Sequence, residues 1–303
     1  MRKSMLPVGA WWALGAALIS GVSVYLNKFA VMQMKDPFVF TTLKNTLVAL
    51  GLLAVVGLTA RWSEIRGLNG RQRAGLLALG LIGGGVPFLL FFQGLAAASA
   101  PSAALIHKTL VLWVALMAVP LLGESLGWLQ IAGLGALLLG QLLLGWPKAW
   151  AWGSGEMLVL IATLLWAVET IVARKVLPAV SAQTGALSRM GVGAIVMWGF
   201  LIFSGRAGAA LALTGSQWMW VLATSVLLAG YVLTWYRALQ SAPVTVVTSV
   251  LTIGALLTIA LTIVLEGKPT TNLQVAGSVL LLIGALAFLW QQRRRLPRAE
   301  AAA

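Results

Sequence analysis

Glu169 is the one acid inside a long apolar run, Leu164-Leu165-Trp166-Ala167-Val168-Glu169-Thr170-Ile171-Val172, and stands one helical turn beyond Trp166. A carboxylate in such surroundings can carry a proton, balance a cationic group of a ligand, or pair with a buried base. The candidate bases are few. Lys44, Lys108 and Arg189 also stand inside apolar stretches, and His107, the chain's only histidine, precedes Lys108. An imidazole titrates near neutral pH and suits proton coupling, while a lone histidine also serves as a hydrogen-bonded packing residue. Glu156 stands near the start of the run that holds Glu169.

The same inventory excludes several chemistries. There are no cysteines, so disulfides and thiolate chemistry are out. One histidine and seven acids spread over 303 residues offer no cluster of metal ligands. Neither a Gly-x-Ser-x-Gly elbow nor a Walker-type phosphate loop occurs, so no enzyme active site, ATP-driven step or cofactor is expected. The net charge of +14 is not a nucleic-acid signature. Its basic residues lie between apolar blocks and at the two ends, not in a patch interleaved with aromatics.

Membrane spans must position these residues. The chain is 60% hydrophobic and 9% charged, against about 25% charged residues in soluble domains, so lipid is the solvent for most of it. Apolar stretches long enough to span lie at 10–31, 39–59, 74–97, 101–122, 126–145, 155–177, 184–204, 217–239, 243–265 and 271–291. Met1-Arg2-Lys3 opens like a signal peptide, but the run at 10–31 is long enough to cross and reads as an uncleaved first helix. With ten spans, thirteen Lys and Arg fall on the side shared by both termini and five on the other, while Lys44, Lys108 and Arg189 lie within spans. The excess, which includes four arginines in the 61–73 loop, places both termini in the cytoplasm, with a bacterial inner membrane as the expected location. Nothing in the pattern specifies an oligomer.

An internal repeat organises the spans. Ser99-Ala100-Pro101 precedes a span ending at Gly123-Glu124, followed by Leu129-Gln130-Ile131-Ala132-Gly133. Ser241-Ala242-Pro243 precedes a span ending at Glu266-Gly267, followed by Leu273-Gln274-Val275-Ala276-Gly277. The offset is 142 for Pro101/Pro243 and Glu124/Glu266, 144 for Gln130/Gln274, Gly133/Gly277 and Gly140/Gly284, and 145 for Lys44/Arg189. We divide the chain into 1–147 and 148–303. Each half holds five spans, an odd number, so the second enters the membrane from the opposite side. The expected fold is therefore an all-α integral membrane protein of two inverted five-helix repeats, an architecture of secondary transporters with the site near the midplane between the halves.

This order of Ser-Ala-Pro, span, glutamate and Leu-Gln-x-Ala-Gly, occurring twice, resembles the EamA-like drug/metabolite transporter superfamily over nearly the whole chain. The resemblance implies a ten-helix exporter or exchanger of small metabolites, with amino acids and their analogues frequent substrates. Its most specific element is the paired glutamate, here Glu124 and Glu266. Each closes a span beside a tight connection and is expected to cap a neighbouring helix or pair with a basic residue rather than touch substrate. Members of the superfamily often carry a proline upstream of that glutamate, in the region that here reads Leu110-Val111-Leu112 and Thr252-Ile253-Gly254.

Other residues complete the candidate site. Gly83-Gly84-Gly85-Val86-Pro87 interrupts the third span, and non-helical backbone at membrane depth is tolerated only against protein or a cavity. Phe88 and Phe92 follow it, and Tyr231 and Trp235 stand one turn apart in the eighth span. All four are read as cavity lining, with ordinary packing as the alternative. Ser20, Ser23 and Asn27 share a face of the first helix, and Thr245, Thr248, Thr252 and Thr262 one of the ninth. Either stripe lines a pathway or bonds across helices, the latter favoured for the threonines. Lys44 and Arg189, which are repeat-related, are either paired anion-facing groups at the cavity or residues close enough to span starts to snorkel to the interface, the latter favoured. The intramembrane charge is net positive, which favours a small-molecule substrate with a carboxylate or other anionic group, such as an amino acid, over a plain cation. The alternative function is movement or modification of membrane lipid without solute transport.

Overall fold

The computed structural model describes residues 8–59, 62–145, 152–267 and 269–300; Arg2, Lys3, Arg61, Lys148, Lys268 and the connection 146–151 lie outside the described residues. Ten apolar helices account for most of what is described: α1 (Val8–Gln33), α2 (Pro37–Leu58), α3 (Gly70–Ala97), α4 (Ser102–Leu122), α5 (Trp128–Leu144), α6 (Ser154–Ala179), α7 (Ala182–Phe203), α8 (Gly215–Ser241), α9 (Val244–Glu266) and α10 (Asn272–Arg294). Their bounds agree with the expected spans to within a few residues. Large apolar side chains such as Leu58, Ile195, Phe203 and Val226 are exposed on the outside, as a lipid-facing surface requires.

Local chemistry sets the helix ends. Asp36 caps α2, accepting from the N–H groups of Phe38 (2.8 Å) and Val39 (3.4 Å), with Pro37 at the first helical position. Glu156 accepts from the N–H of Gly153 (3.1 Å), so this acid is a helix-start cap of α6. α4 and α9 both end on a left-handed glycine, Gly123 (φ +68°) and Gly267 (φ +65°), which lets the chain reverse without a Cβ clash.

The packing has two-fold logic. α1 packs on α8 and α9, α6 on α3 and α4, α2 on α7, and α5 on α10. Exchanging each helix for its counterpart in the other half maps this set onto itself. The α5–α10 contact fixes the sense of the symmetry. A Cβ on Gly133 would lie 3.1 Å from the carbonyl oxygen of Gly284, and one on Gly140 would lie 2.8 Å from that of Gly277. The numbers rise along α5 while they fall along α10, so these repeat-related helices cross antiparallel. The two halves are inverted.

Contacts between helix ends agree on which ends share a membrane face. On the face where α1 begins (the terminal face), Gly9 lies against Ser241 and Ala242 at the end of α8. There too Glu124, ending α4, accepts from the N–H of Val244 (2.6 Å) and the N–H (3.2 Å) and Oγ1 (2.6 Å) of Thr245, clamping the start of α9. On the distal face, Lys28 at the end of α1 pairs with Glu266 at the end of α9 (2.8 Å), and Arg206 after α7 pairs with Asp36 before α2 (3.4 Å). These pairings require α5 to cross, although its 17 residues rise only about 26 Å at 1.5 Å each. Glu124 and Glu266 thus do what their positions led us to expect, one capping a helix and the other holding a lysine. Loss of three charge-assisted bonds in Glu124→Ala is expected to cost about 2 kcal/mol, and Glu124→Gln less. Thermal unfolding in detergent reads this, and equal unfolding temperatures for both variants and the parent would contradict the clamp.

Candidate functional site

Three helices are broken at mid-membrane, and the breaks shape the site. In α3 the stretch Gly80–Gly85 forms a π-helical turn, and side chains take up its freed carbonyls. Trp166 Nε1 donates to Gly83 O (3.1 Å) and Asn45 Nδ2 to Gly84 O (3.1 Å). The glycines also admit close neighbours. A Cβ on Gly84 would sit 1.8 Å from the carbonyl oxygen of Arg189 in α7, and one on Gly83 would sit 2.7 Å from Cγ of Glu169.

α4 and α9 break at Thr109 and at Thr252-Ile253, the region where the resemblance leads one to look for proline. Threonine does the work here. Thr109 Oγ1 donates to Ile106 O (2.6 Å) and Thr252 Oγ1 to Ser249 O (2.7 Å). Nearby backbone bonds contract to the three-residue spacing, with Thr109 N to Ile106 O at 3.1 Å and Ile253 N to Val250 O at 3.0 Å.

At the level of these breaks Glu169 meets Arg189. Glu169 Oε1 lies 3.2 Å from Arg189 Nη1 and accepts from Tyr236 Oη at 2.5 Å. Their side chains are 2% and 8% exposed, so the pair is desolvated. Glu169 thus stands in a buried ion pair. Arg189 Nε has no partner among the described residues. Lys44 is also buried; its Nζ donates to Asn27 Oδ1 (2.9 Å) and lies 4.8 Å from the Phe40 ring centre. Asn27 in turn donates to Ser23 Oγ (3.1 Å). The snorkelling expected of Lys44 and Arg189 is therefore corrected. Both turn inward because another helix offers a partner there: a carboxylate for the guanidinium, an amide oxygen for the ammonium, with an aromatic face from Phe40 on α2 itself.

These groups line one cavity of about 400 Å³, within the range of small-molecule sites. It runs from Glu169 and Trp235 towards the distal face, where Val31, Phe40 and Phe92 line it. Rings form much of its wall. Phe88 packs edge-on to Trp166 (5.2 Å), Tyr231 stacks on Trp235 (6.1 Å), and His107 lies 4.9 Å from Trp166 and 5.3 Å from Phe91. His107 Nδ1 is buried without a partner among the described residues.

Of the residues singled out in the sequence, Glu169, His107, Trp166, Tyr231, Trp235, Ser23, Phe88, Phe92, Lys44 and Arg189 all line this cavity. Lys108 does not; it lines an adjoining chamber. The polar stripe of α1 lines the cavity, but the threonines of α9 mostly do not bridge helices. Thr248 and Thr262 donate to carbonyls one turn back in their own helix (2.8 and 2.9 Å), and Thr245 serves the Glu124 clamp. Two residues that matter went unread. Asn45 adjoins Lys44, and Tyr236 adjoins Trp235 while standing behind Glu169 rather than on the cavity wall. An amide or hydroxyl at membrane depth was the available signal in each case.

Two cations and one carboxylate give the cavity a net positive character, and its aromatic wall suits a partly apolar solute. No three His, Cys, Asp or Glu side chains come together among the described residues.

An uncharacterised transporter from the cobO 3′ region of a Sinorhizobium species is 28% identical over 134 residues, which is 44% of this chain and 94% of that protein. A solved crystal structure aligns at a TM-score of 0.77 and 19% identity, covering 94% of this chain and 98% of the other, a likeness of fold alone. The profile of the EamA-like transporter family matches twice, over residues 7–146 and again over 153–290. The chain belongs to the EamA-like transporter family.

Proposed function

We propose that this protein is a secondary transporter that exports or exchanges small metabolites bearing a carboxylate, amino acids and related compounds among them. The observation that carries this reading is Arg189. It is buried on the wall of a net-positive cavity, engaged by Glu169 through Nη1, and its Nε has no partner among the described residues. An incoming carboxylate can take that guanidinium in two-pronged fashion and weaken its hold on Glu169. Lys44, its donors directed at a neutral amide, adds attraction for the anion, and the rings around Trp166 and Trp235 receive the apolar part.

Alternating access follows from the inverted halves, taken as 1–147 and 148–303. Bonds between the halves tie the terminal face: Glu64 accepts from the N–H of Ser181 (2.6 Å) and Glu124 from the N–H of Val244 (2.6 Å). The cavity extends the other way. With the basic excess placing the termini in the cytoplasm of the plasma membrane, this arrangement is the outward-facing form.

Counterflow in proteoliposomes tests the reading, using a panel of amino acids each beside its carboxamide. The acids are expected to exchange and the amides not. Arg189→Lys, which keeps the charge but loses the planar fork, is expected to slow exchange by about tenfold or more. Amides carried as fast as their acids would contradict it.

A further inference from the structure

Beside the main cavity, and sharing Ser20, Val24, His107, Leu110 and Leu251 with it, lies a second chamber of about 300 Å³ that extends towards the end of the molecule where α10 begins. Lys108, Gln141, Thr252, Ile259 and Gln274 are among its lining residues. Lys108 is the last residue of the first half of α4, immediately before the break at Thr109. The end of a half-helix offers an ammonium a partial negative charge, but no carboxylate or hydrogen-bond acceptor among the described residues meets this one. The acids near other bases are engaged elsewhere: Glu169 with Arg189, Glu266 with Lys28, Asp36 with Arg206. Glu124 clamps α9 and Glu156 caps α6.

A lysine at membrane depth without a counter-ion is costly. Across the same chamber Gln141 is 3% exposed, and its Oε1 has no hydrogen-bond partner among the described residues. A cation lacking its anion and a side chain whose acceptor lacks a donor thus line one space. Both are satisfied together by a molecule with an anionic head and an N–H or O–H beside it. The apolar remainder of the wall suits an apolar body.

We propose that the Lys108 chamber is a second binding site, separate from the Arg189 cavity, for small amphipathic anions that carry a hydrogen-bond donor next to the charge. The anion bonds Lys108 and the donor bonds Gln141. Such a head belongs to a soluble α-amino or α-hydroxy acid and equally to an anionic glycerol-type lipid. The site stands on Lys108 and Gln141 alone, so its fate is independent of the transport reading.

The absence of cysteine from the chain gives a clean test. Ile259→Cys and, on another wall, Gln141→Cys are each labelled in nanodiscs with an anionic sulfonatoethyl methanethiosulfonate and with its cationic trimethylammonium counterpart. In discs of neutral lipid the anionic reagent is expected to react at least about tenfold faster relative to free thiol, by attraction to the nearby ammonium. Lys108→Gln should abolish that preference and Lys108→Arg should keep it. Repeating the labelling in phosphatidylglycerol discs separates the sources. Blocked labelling there identifies the lipid headgroup as occupant; unchanged labelling there, with protection in neutral discs by an added α-hydroxy or α-amino acid, identifies a soluble anion, and protection by neither overturns the site. Equal rates for the two reagents with Lys108 in place, a preference that survives Lys108→Gln, or no labelling of either cysteine in neutral discs would overturn the site.

Discussion

Glu169→Gln is expected to destabilise the protein by about 3–5 kcal/mol, although it removes one charge and almost no volume. The change leaves Arg189, whose side chain is 8% exposed, with no carboxylate partner. Arg189→Gln should cost a similar amount by stranding Glu169, whose remaining donor is Tyr236 Oη. The double variant Glu169→Gln/Arg189→Gln should recover most of the loss, because two amides can bond one another where neither can satisfy an unpaired charge. Reversible unfolding in mixed micelles measures all four proteins. Single variants as stable as the parent, or losses that add in the double variant, would contradict a coupled buried pair.

Gly84→Ala is expected to be at least as severe, above about 4 kcal/mol, in the range reserved for identifiable steric causes. The added methyl would lie 1.8 Å from the backbone oxygen of Arg189 and 3.2 Å from Cα of Gly193. Backbone cannot move aside as a flexible side chain would. α3 would have to lift off α7, losing the bond from Asn45 to Gly84 O and the surroundings of the ion pair together. Gly191→Ala on α7 is the control, since a Cβ there meets nothing within 4 Å. It is expected to be neutral or slightly stabilising, as alanine suits a helix interior better than glycine. Membrane yield and monodispersity on size exclusion compare the two, and Gly84→Ala behaving like Gly191→Ala would contradict the close α3–α7 approach.

The fold was legible because membrane spans announce themselves by length, and because the Ser-Ala-Pro and Leu-Gln-x-Ala-Gly markers recur in order with an odd number of spans between them. Charged residues inside spans are so few that Glu169, Lys44 and Arg189 stood out, and they converge on one cavity. What the sequence hides is azimuth. Position along a span gives depth, which made snorkelling reasonable for Lys44 and Arg189. Only packing against α1 and α6 reveals that Asn27 and Glu169 wait on the inward side. Lys108 adjoins His107 in sequence, yet consecutive residues on a helix diverge in direction, which sends the lysine into the side chamber. The breaks in α4 and α9 were equally hidden, since threonine hydroxyls returning to their own carbonyls leave no mark like that of proline.

The central claim is that the Glu169–Arg189 pair serves substrate exchange and is not merely a strut. The double variant Glu169→Gln/Arg189→Gln tests it most directly, because its restored stability removes misfolding from the comparison. Its counterflow of the carboxylates that the parent carries should fall to the background of empty proteoliposomes. Counterflow at the parent's rate by a folded, inserted double variant would contradict the claim and leave the pair a structural element.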